Sequence, residues 1–327
     1  MAVNAIYSHA APYLLEAIMG RYIIKRLLAL VFVFIGVNFI VFTIMYLSPS
    51  DPASIILGVG ATPESIEMLK AQLGLNDPFI VQYLRNLKGL FTLNFGNSYV
   101  FGLPVLGVFL SRFPITLNIA VGSMIFAIFL GVPLGVLSSV KQYSIFDYIG
   151  VFFSLLLSAV PAFWFGLMLM RLFSVQLHLL PASGVENIKS YILPIFTAGI
   201  TNAVIIMRLT RSTMLEVIRQ DYICTIRAKG APEWYVIFKH ALKNALLPVV
   251  TIIGMRFGVM LGGIVVIETV FAIPGVGTML VEAVRTQDVP TVMIGVTLFA
   301  FTFCLVNLLI DILYAYLDPR IRANLSS

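Results

Sequence analysis

The sequence predicts an all-α polytopic membrane protein of about six transmembrane helices, and two observations carry that expectation. Of its 327 residues, 60% are hydrophobic and 11% charged, whereas a soluble domain carries roughly 25% charged residues. Mean hydropathy is +1.00. Six segments also approach or exceed the roughly 20 apolar residues that a helix needs to cross a bilayer. They are residues 22–47, 115–140, 148–173, 192–208, 245–267 and 291–317. None alternates as a membrane strand does, so helices must satisfy the backbone in lipid.

Residues 1–20 read as a cytoplasmic N-terminal extension. The apolar run that follows is longer than a signal h-region and lacks a clear cleavage site, so residues 21–47 read as a retained first span. Arg21, Lys25 and Arg26 place its start in the cytoplasm, because cations accumulate on inner loops. Alternation then puts Lys141, Arg208, Arg211, Arg219, Arg227, Lys229, Lys239, Lys243, Arg320 and Arg322 inside as well. Outside fall Lys70, Arg85, Lys88, Arg112, Lys189 and Arg285. Both termini are therefore expected in the cytoplasm, with residues 318–327 as a short tail.

Residues 48–112 are too long for an ordinary structureless connection. Thr62-Pro63-Glu64 supplies a cap, a proline for the first helical position and an acid for the first turn. A helix to Leu73, a break at Gly74–Pro78 and a second helix to about Leu90 make a small helical outer cap. Residues 113–317 then form one transmembrane core.

Several chemistries lack their residues. There is no Gly-Lys dipeptide for a phosphate-cradling loop, no HExxH and no GxSxG. His9, His178 and His240 are too scattered for a metal site. Ser138-Ser139-Val140-Lys141 has the SxxK spacing without its partner motifs, and Lys141 is explained as an inner anchor. Cys224 and Cys304 fall in an inner loop and a membrane helix, so no disulfide framework is implied. The net charge of +6 follows from the inner loops and requires no nucleic acid. No catalytic or metal-binding residue is expected. Acids are nearly absent from the mid-membrane: Glu268 lies at the outer end of span five and Asp311 in the inner half of span six. Neither makes a central proton relay, so transport needs another source of energy.

The most informative stretch is the inner connection, residues 216–245. A basic helix runs to Lys229, and Gly230 can close it by adopting the left-handed conformation. Pro232 and Glu233 suit the first turn of a new short helix, which would show Trp234, Tyr235, Ile237 and Phe238 to the cytoplasm before Leu247-Pro248 opens span five. Exposed aromatics between basic elements suit a plug for another protein's cleft. They equally suit an interfacial helix lying on anionic lipid.

Residues 221–248 resemble the cytoplasmic coupling segment, the EAA loop, of permease subunits in ABC importers. The resemblance is to the dipeptide, oligopeptide and nickel family, B-type subunit. Asp221, Tyr222, Thr225, Arg227, Ala228, Lys229 and Gly230 keep one half of the family pattern. Lys239, His240, Ala241, Leu242, Asn244, Ala245, Leu247 and Pro248 keep the other. Cys224 and Ile226 depart from it, where the family often has a basic residue and usually Ala. Arg21–Leu28, Asp51-Pro52-Ala53, Leu73–Pro78, Phe95–Ser98, Pro181–Gly184 and Glu268–Gly277 extend the similarity over nearly the whole chain, with Ser50 where the family has Gly.

This resemblance implies a type I ABC importer permease fold and a non-catalytic subunit of a peptide importer in a bacterial cytoplasmic membrane. Its implied partners are a second homologous permease, two ABC ATPases, an extracytoplasmic solute-binding protein and membrane lipid. ATP and Mg would act on the ATPases, with no cofactor in this chain. The implied ATPase-coupling residues are Arg227, Ala228, Lys229, Gly230, Ala231, Pro232, Glu233, Trp234, Tyr235, Phe238 and His240. Nickel or another metal chelate is an alternative solute; a secondary carrier or channel is the alternative of another class.

The translocation pathway has candidates with two readings each. Gly254, Gly258 and Gly262, beside Gly263, repeat every four residues and allow close helix packing or a seam with the second permease. Gly131 and Gly135 read similarly. Arg171 either snorkels to headgroups or faces a solute carboxylate; Arg256, deeper in span five, has the same choice. Glu268 completes the set.

Overall fold

The computed structural model describes residue 28 and residues 31–48, 51–58, 60–92 and 95–317. The expected N-terminal extension, Arg21, Lys25, Arg26, Ser50 and the tail pair Arg320 and Arg322 lie outside those residues. Among the described residues the chain is all-α, with one isolated β-bridge between Asn97 and Pro104. The helices are α1 (Val31–Leu47), α2 (Pro52–Leu57), α3 (Pro63–Leu73), α4 (Phe79–Thr92), α5 (Val105–Val140), α6 (Ile145–Ala159) and α7 (Ala162–Leu169). They continue with α8 (Ile192–Ile218), α9 (Asp221–Ala228), α10 (Glu233–Tyr235), α11 (Leu242–Val270), α12 (Val276–Arg285) and α13 (Val289–Leu317). Among the described residues, four helical runs are long and apolar enough to cross a membrane, and a bent pair makes a fifth if it is counted as one span. The described part of the first expected span is the shorter apolar helix α1.

The chain forms two compact units. One comprises the described residues up to Val105 and from Thr286; the other is Leu106–Arg285. In the first unit the helices between residues 52 and 92 follow their sequence signals. Thr62 Oγ1 accepts from the Ser65 amide at 3.3 Å, Pro63 opens α3, and Gly74 ends it at φ 66°. Lys70 reaches back to Asp51 at 2.7 Å, and Arg85 pairs with Asp77 across the break before α4. Phe42 and Tyr46 of α1 pack against Phe79 and Tyr83 of α4, with ring centroids 5.0–5.6 Å apart across the two helices. Asp288, buried ahead of α13, accepts from the Tyr99 amide at 3.0 Å, from Thr291 Oγ1 at 2.7 Å and from Ser98 Oγ.

The second unit departs from the expected spans in three ways. Span three, expected unbroken over residues 148–173, is two helices, α6 and α7, bent by 103°. Pro161 lacks an amide hydrogen and holds Val160 in extended backbone at φ −88°, ψ 125°, which ends α6. Beyond α7 the chain widens into a π-helical turn over Met170–Gln176. Second, α5 has 36 residues and at 1.5 Å per residue is about 54 Å long. It begins ten residues before the expected span, so the last part of the expected cap is its own extension. Third, α10 passes through a π-helical turn, Val236–Ala241, into α11 without a break. The run Glu233–Val270 is one 38-residue helix, and Pro248 lies inside it.

α8 packs against α5 through glycine. A methyl group at Gly131 would sit 2.6 Å from the Ala203 carbonyl oxygen, and one at Gly135 would sit 2.6 Å from that of Met207. Such close backbone approach maximises van der Waals contact where lipid gives helices no hydrophobic drive to associate. Gly254 and Gly258 are buried, whereas a methyl group at Gly262 or Gly263 would meet nothing within 4 Å. Gly131→Ala and Gly135→Ala are therefore expected to cost about 1–3 kcal/mol each, read as a lowered Tm in mild detergent. Gly262→Ala should leave Tm unchanged; equal shifts at all three positions would contradict the packing described.

A candidate docking surface between α9 and α11

The basic connection is a helical elbow built from its own sequence. α9 ends at Ala228, and Gly230 follows at φ 81°, donating its amide to the Arg227 carbonyl at 2.9 Å. Pro232, extended at ψ 145°, then starts α10. Arg227 and Glu233 clasp the elbow with two bonds, Nη2 to Oε1 at 2.6 Å and Nε to Oε2 at 3.1 Å. That hydrogen-bonded carboxylate raises the pKa of Arg227 above its usual value. Across the elbow, Asn244 Nδ2 donates to the Tyr222 hydroxyl at 2.7 Å.

Helical geometry divides the aromatics, since each residue turns the helix by about 100°. Trp234 and Phe238, four residues apart, share one face and are 67% and 60% exposed. Val236 and Ile237 face inward and are buried. The expectation that Ile237 is shown to the surroundings is corrected here, as is that of a short separate helix. Tyr235 is half-buried; Lys239 lies 4.8 Å over its ring, and His240 meets it edge-on at 5.1 Å. Ala228, Lys229, Gly230, Pro232 and Glu233 are exposed around the elbow, and Arg227, Ala231 and His240 are half-buried.

Beneath this surface lies one apolar cluster. Val236, Ile237, Ala241 and Ala245 pack with Val136 of α5, Met214 of α8 and Ile223 of α9. A groove of about 370 Å³ runs beside it, between Val132–Val140 of α5 and Trp234, Phe238 and Leu242.

A polar network that the sequence reading misses fixes the helices under the cluster. Asp147, at the start of α6, receives Arg211 of α8 through two bonds, Nε to Oδ1 at 2.7 Å and Nη2 to Oδ2 at 2.8 Å. Ser138 of α5 also donates to Oδ1, and the Tyr143 amide donates to Oδ2 at 3.0 Å. Ser138 thus belongs to this network, while Lys141 sits 4.9 Å over the Phe146 ring. The sequence does hold a signal for it: Ser144 and Asp147 have the spacing of a capped helix start, and an acid among apolar residues calls for a cation. The charge bias of the inner loops accounts for Arg211 only as an anchor and does not reveal its partner.

The pathway candidates are not brought together. Arg171 is exposed on the π-helical turn after α7, and Arg256 is half-buried midway along α11. Neither has a hydrogen-bond or ion-pair partner among the described residues. Gly258 is buried and Gly262 open. Glu268 is fully buried. Its Oε1 accepts from Thr116 Oγ1 at 2.5 Å and its Oε2 from the Thr278 amide at 3.1 Å. Gly275 lies so close that any side chain there would overlap the carboxylate. Glu268 therefore ties the first turn of α12 to α5. No group of three or more metal-ligating side chains occurs among the described residues.

Residues 131–323 match the family model of the binding-protein-dependent transport system inner membrane component, and residues 19–120 match that of the N-terminal membrane component. The dipeptide transport system permease protein DppB of Alkalihalophilus pseudofirmus is 40% identical over 332 residues, covering 93% of this chain and 100% of that protein. The glutathione transport system permease protein GsiC of Salmonella typhi is 40% identical over 304 residues, covering 93% and 99%. DppB of Escherichia coli K12 is 39% identical over 336 residues, covering 93% and 99%. Among solved structures, an inward-facing MetNI methionine ABC transporter matches with a TM-score of 0.54 at 18% identity, covering 66% of this chain and 98% of that one. An amino acid ABC transporter with histidines matches with a TM-score of 0.53 at 12% identity, covering 64% and 94%. These two share the fold.

Removing one partner of this partly buried ion pair leaves the other without its counter-charge. Asp147→Asn should cost about 3 kcal/mol, measured as a fall in Tm, and Asp147→Asn with Arg211→Gln should cost less than the sum of the single changes. Additive losses would mean that the pair does not act as a unit.

Proposed function

The chain belongs to the family of binding-protein-dependent transport system inner membrane components, and from that premise we propose that it is the permease subunit of an ATP-driven importer of di- or oligopeptides. In this reading it supplies half of the translocation pathway, facing a second permease. Two ABC ATPases bind ATP and Mg and hydrolyse the nucleotide, and an extracytoplasmic binding protein delivers the peptide. Both termini and the elbow lie in the cytoplasm, residues 48–112 form the outer cap, and residues 113–317 form the permease core. The names of the 40% identical relatives specify a dipeptide and glutathione, both small peptides, which favours a peptide over a metal chelate.

The observation that carries the docking role is the exposed pair Trp234 and Phe238 on a helix continuous with α11. Large aromatics seated in a partner's cleft dominate protein interfaces. A displacement applied to them enters a helix that has no break before Val270. The inward face of that helix rests on the cluster shared with α5, α8 and α9, so the push reaches those helices through packed side chains. Closure of the ATPases can then rock helices as bodies between inward-open and outward-open states. A proton-coupled carrier would need an intramembrane proton site; the acid of α11, Glu268, is instead held by Thr116 and Thr278.

Co-expression with its genomic neighbours should yield a detergent-stable complex containing two ATPases. Trp234→Ala with Phe238→Ala should weaken ATPase retention at least about tenfold and abolish stimulation of ATP hydrolysis by loaded binding protein. Unchanged retention and stimulation would remove the elbow from the coupling role, and uptake by the chain alone would favour a carrier.

A further inference from the structure

Midway along α11 lies a cation that no described residue neutralises. Arg256 is central in the 29-residue helix Leu242–Val270, about 20 Å from either end, and so at the depth of the hydrocarbon. Its Nε is sealed with no acceptor, and no hydrogen bond or ion pair from a described residue reaches the guanidinium. Glu268 lies about 18 Å further along the same helix, with both carboxylate oxygens already engaged. Asp147 is held by Arg211. An uncompensated charge at this depth is costly and marks a pathway or a partner.

Room lies beside the charge. Arg256 stands at the edge of the open face of α11, where Met255 and Val259 are exposed. Two turns further along the same stripe, Gly263 has nothing within 4 Å of where a side-chain carbon would be, and neighbouring Gly262 is equally open. A guanidinium fork takes a carboxylate through two parallel hydrogen bonds. Unmodified peptides carry a carboxylate at their C-terminus whatever their side chains.

We infer that Arg256 binds the C-terminal carboxylate of the peptide as it passes along the open face of α11. The inference rests on the peptide-permease reading above. It makes Arg256 a specificity residue, indifferent to peptide sequence and selective for a free C-terminus. The counter-ion is then the cargo.

The test uses the assembled complex in proteoliposomes, with saturating binding protein pre-loaded with a dipeptide or with its C-terminal amide. Arg256→Gln should lower the initial uptake rate of the free acid about tenfold, the loss of one charge-assisted bond. Arg256→Lys, which keeps the charge and loses the fork, should give a rate between those of the wild type and Arg256→Gln, and the amide should move equally fast in the wild type and in Arg256→Gln. A dipeptide ending in benzoylphenylalanine gives a second readout that does not need the amide. On irradiation it should label residues 251–263 in the wild type and not in Arg256→Gln. Equal losses for acid and amide, unchanged uptake of the acid, or labelling elsewhere would overturn the assignment. Failure of Arg256→Gln to assemble would overturn it too, since Arg256 would then answer an acid of the second permease. A wild-type complex that takes up neither peptide would instead reject the peptide reading itself.

Discussion

Asp147 and Arg211 meet where α5, α6 and α8 converge, and their two parallel bonds fix three helices at one point. Asp147 is nearly sealed, so its charge can exist there only with the guanidinium in place. The ends of α5 and α8 that support the apolar cluster are thereby fixed, and so is the inner side of the elbow. The glycine contacts of Gly131 and Gly135 continue the same attachment along α5 and α8 by a different force, dispersion between closely approaching backbones.

The elbow itself combines a stiff side and a compliant side. On the stiff side, α10 runs into α11 as one helix. On the compliant side, Gly230 in the left-handed conformation joins α9 to α10, and the Arg227–Glu233 clasp lies across it, partly exposed. An exposed clasp is weak because water and salt screen it. α9 is held to α11 by the Tyr222–Asn244 bond and by buried Ile223 rather than by the clasp.

Much of this is legible in the sequence where local chemistry decides the outcome. Thr62-Pro63-Glu64 starts α3 and Gly74 ends it, because caps and left-handed turns are set by single residues. Gly230 and Pro232 are legible for the same reason. The similarity of residues 221–248 to the coupling segment points to the family that the relatives confirm. What stays hidden depends on neighbours distant in sequence. A helix that is apolar all round has no polar face to reveal which side is buried, so the start of α5 cannot be read, and Ile237 sits in an unbroken apolar and aromatic run, Trp234–Phe238, that does not say which of its members turns inward. Asp147 and Glu268 look like isolated acids until the helices bring Arg211 and Thr116 to them. Pro161 is a local signal for the break in span three, but the uninterrupted apolar run around it conceals the 103° bend.

The glycines of α5 and α8 have a mechanical consequence. Side chains at Gly131 and Gly135 of α5 would strike the Ala203 and Met207 carbonyls, one at Gly122 would strike Ile195, and one at Gly199 of α8 would strike Phe126 and the Ser123 carbonyl. These close approaches run from residue 122 to residue 135 of α5, about 20 Å of helix. Beyond them, Thr116 holds Glu268 of α11. Fastened at several heights, α5 has no single contact about which to pivot, so α5 and α8 would tilt together as one beam.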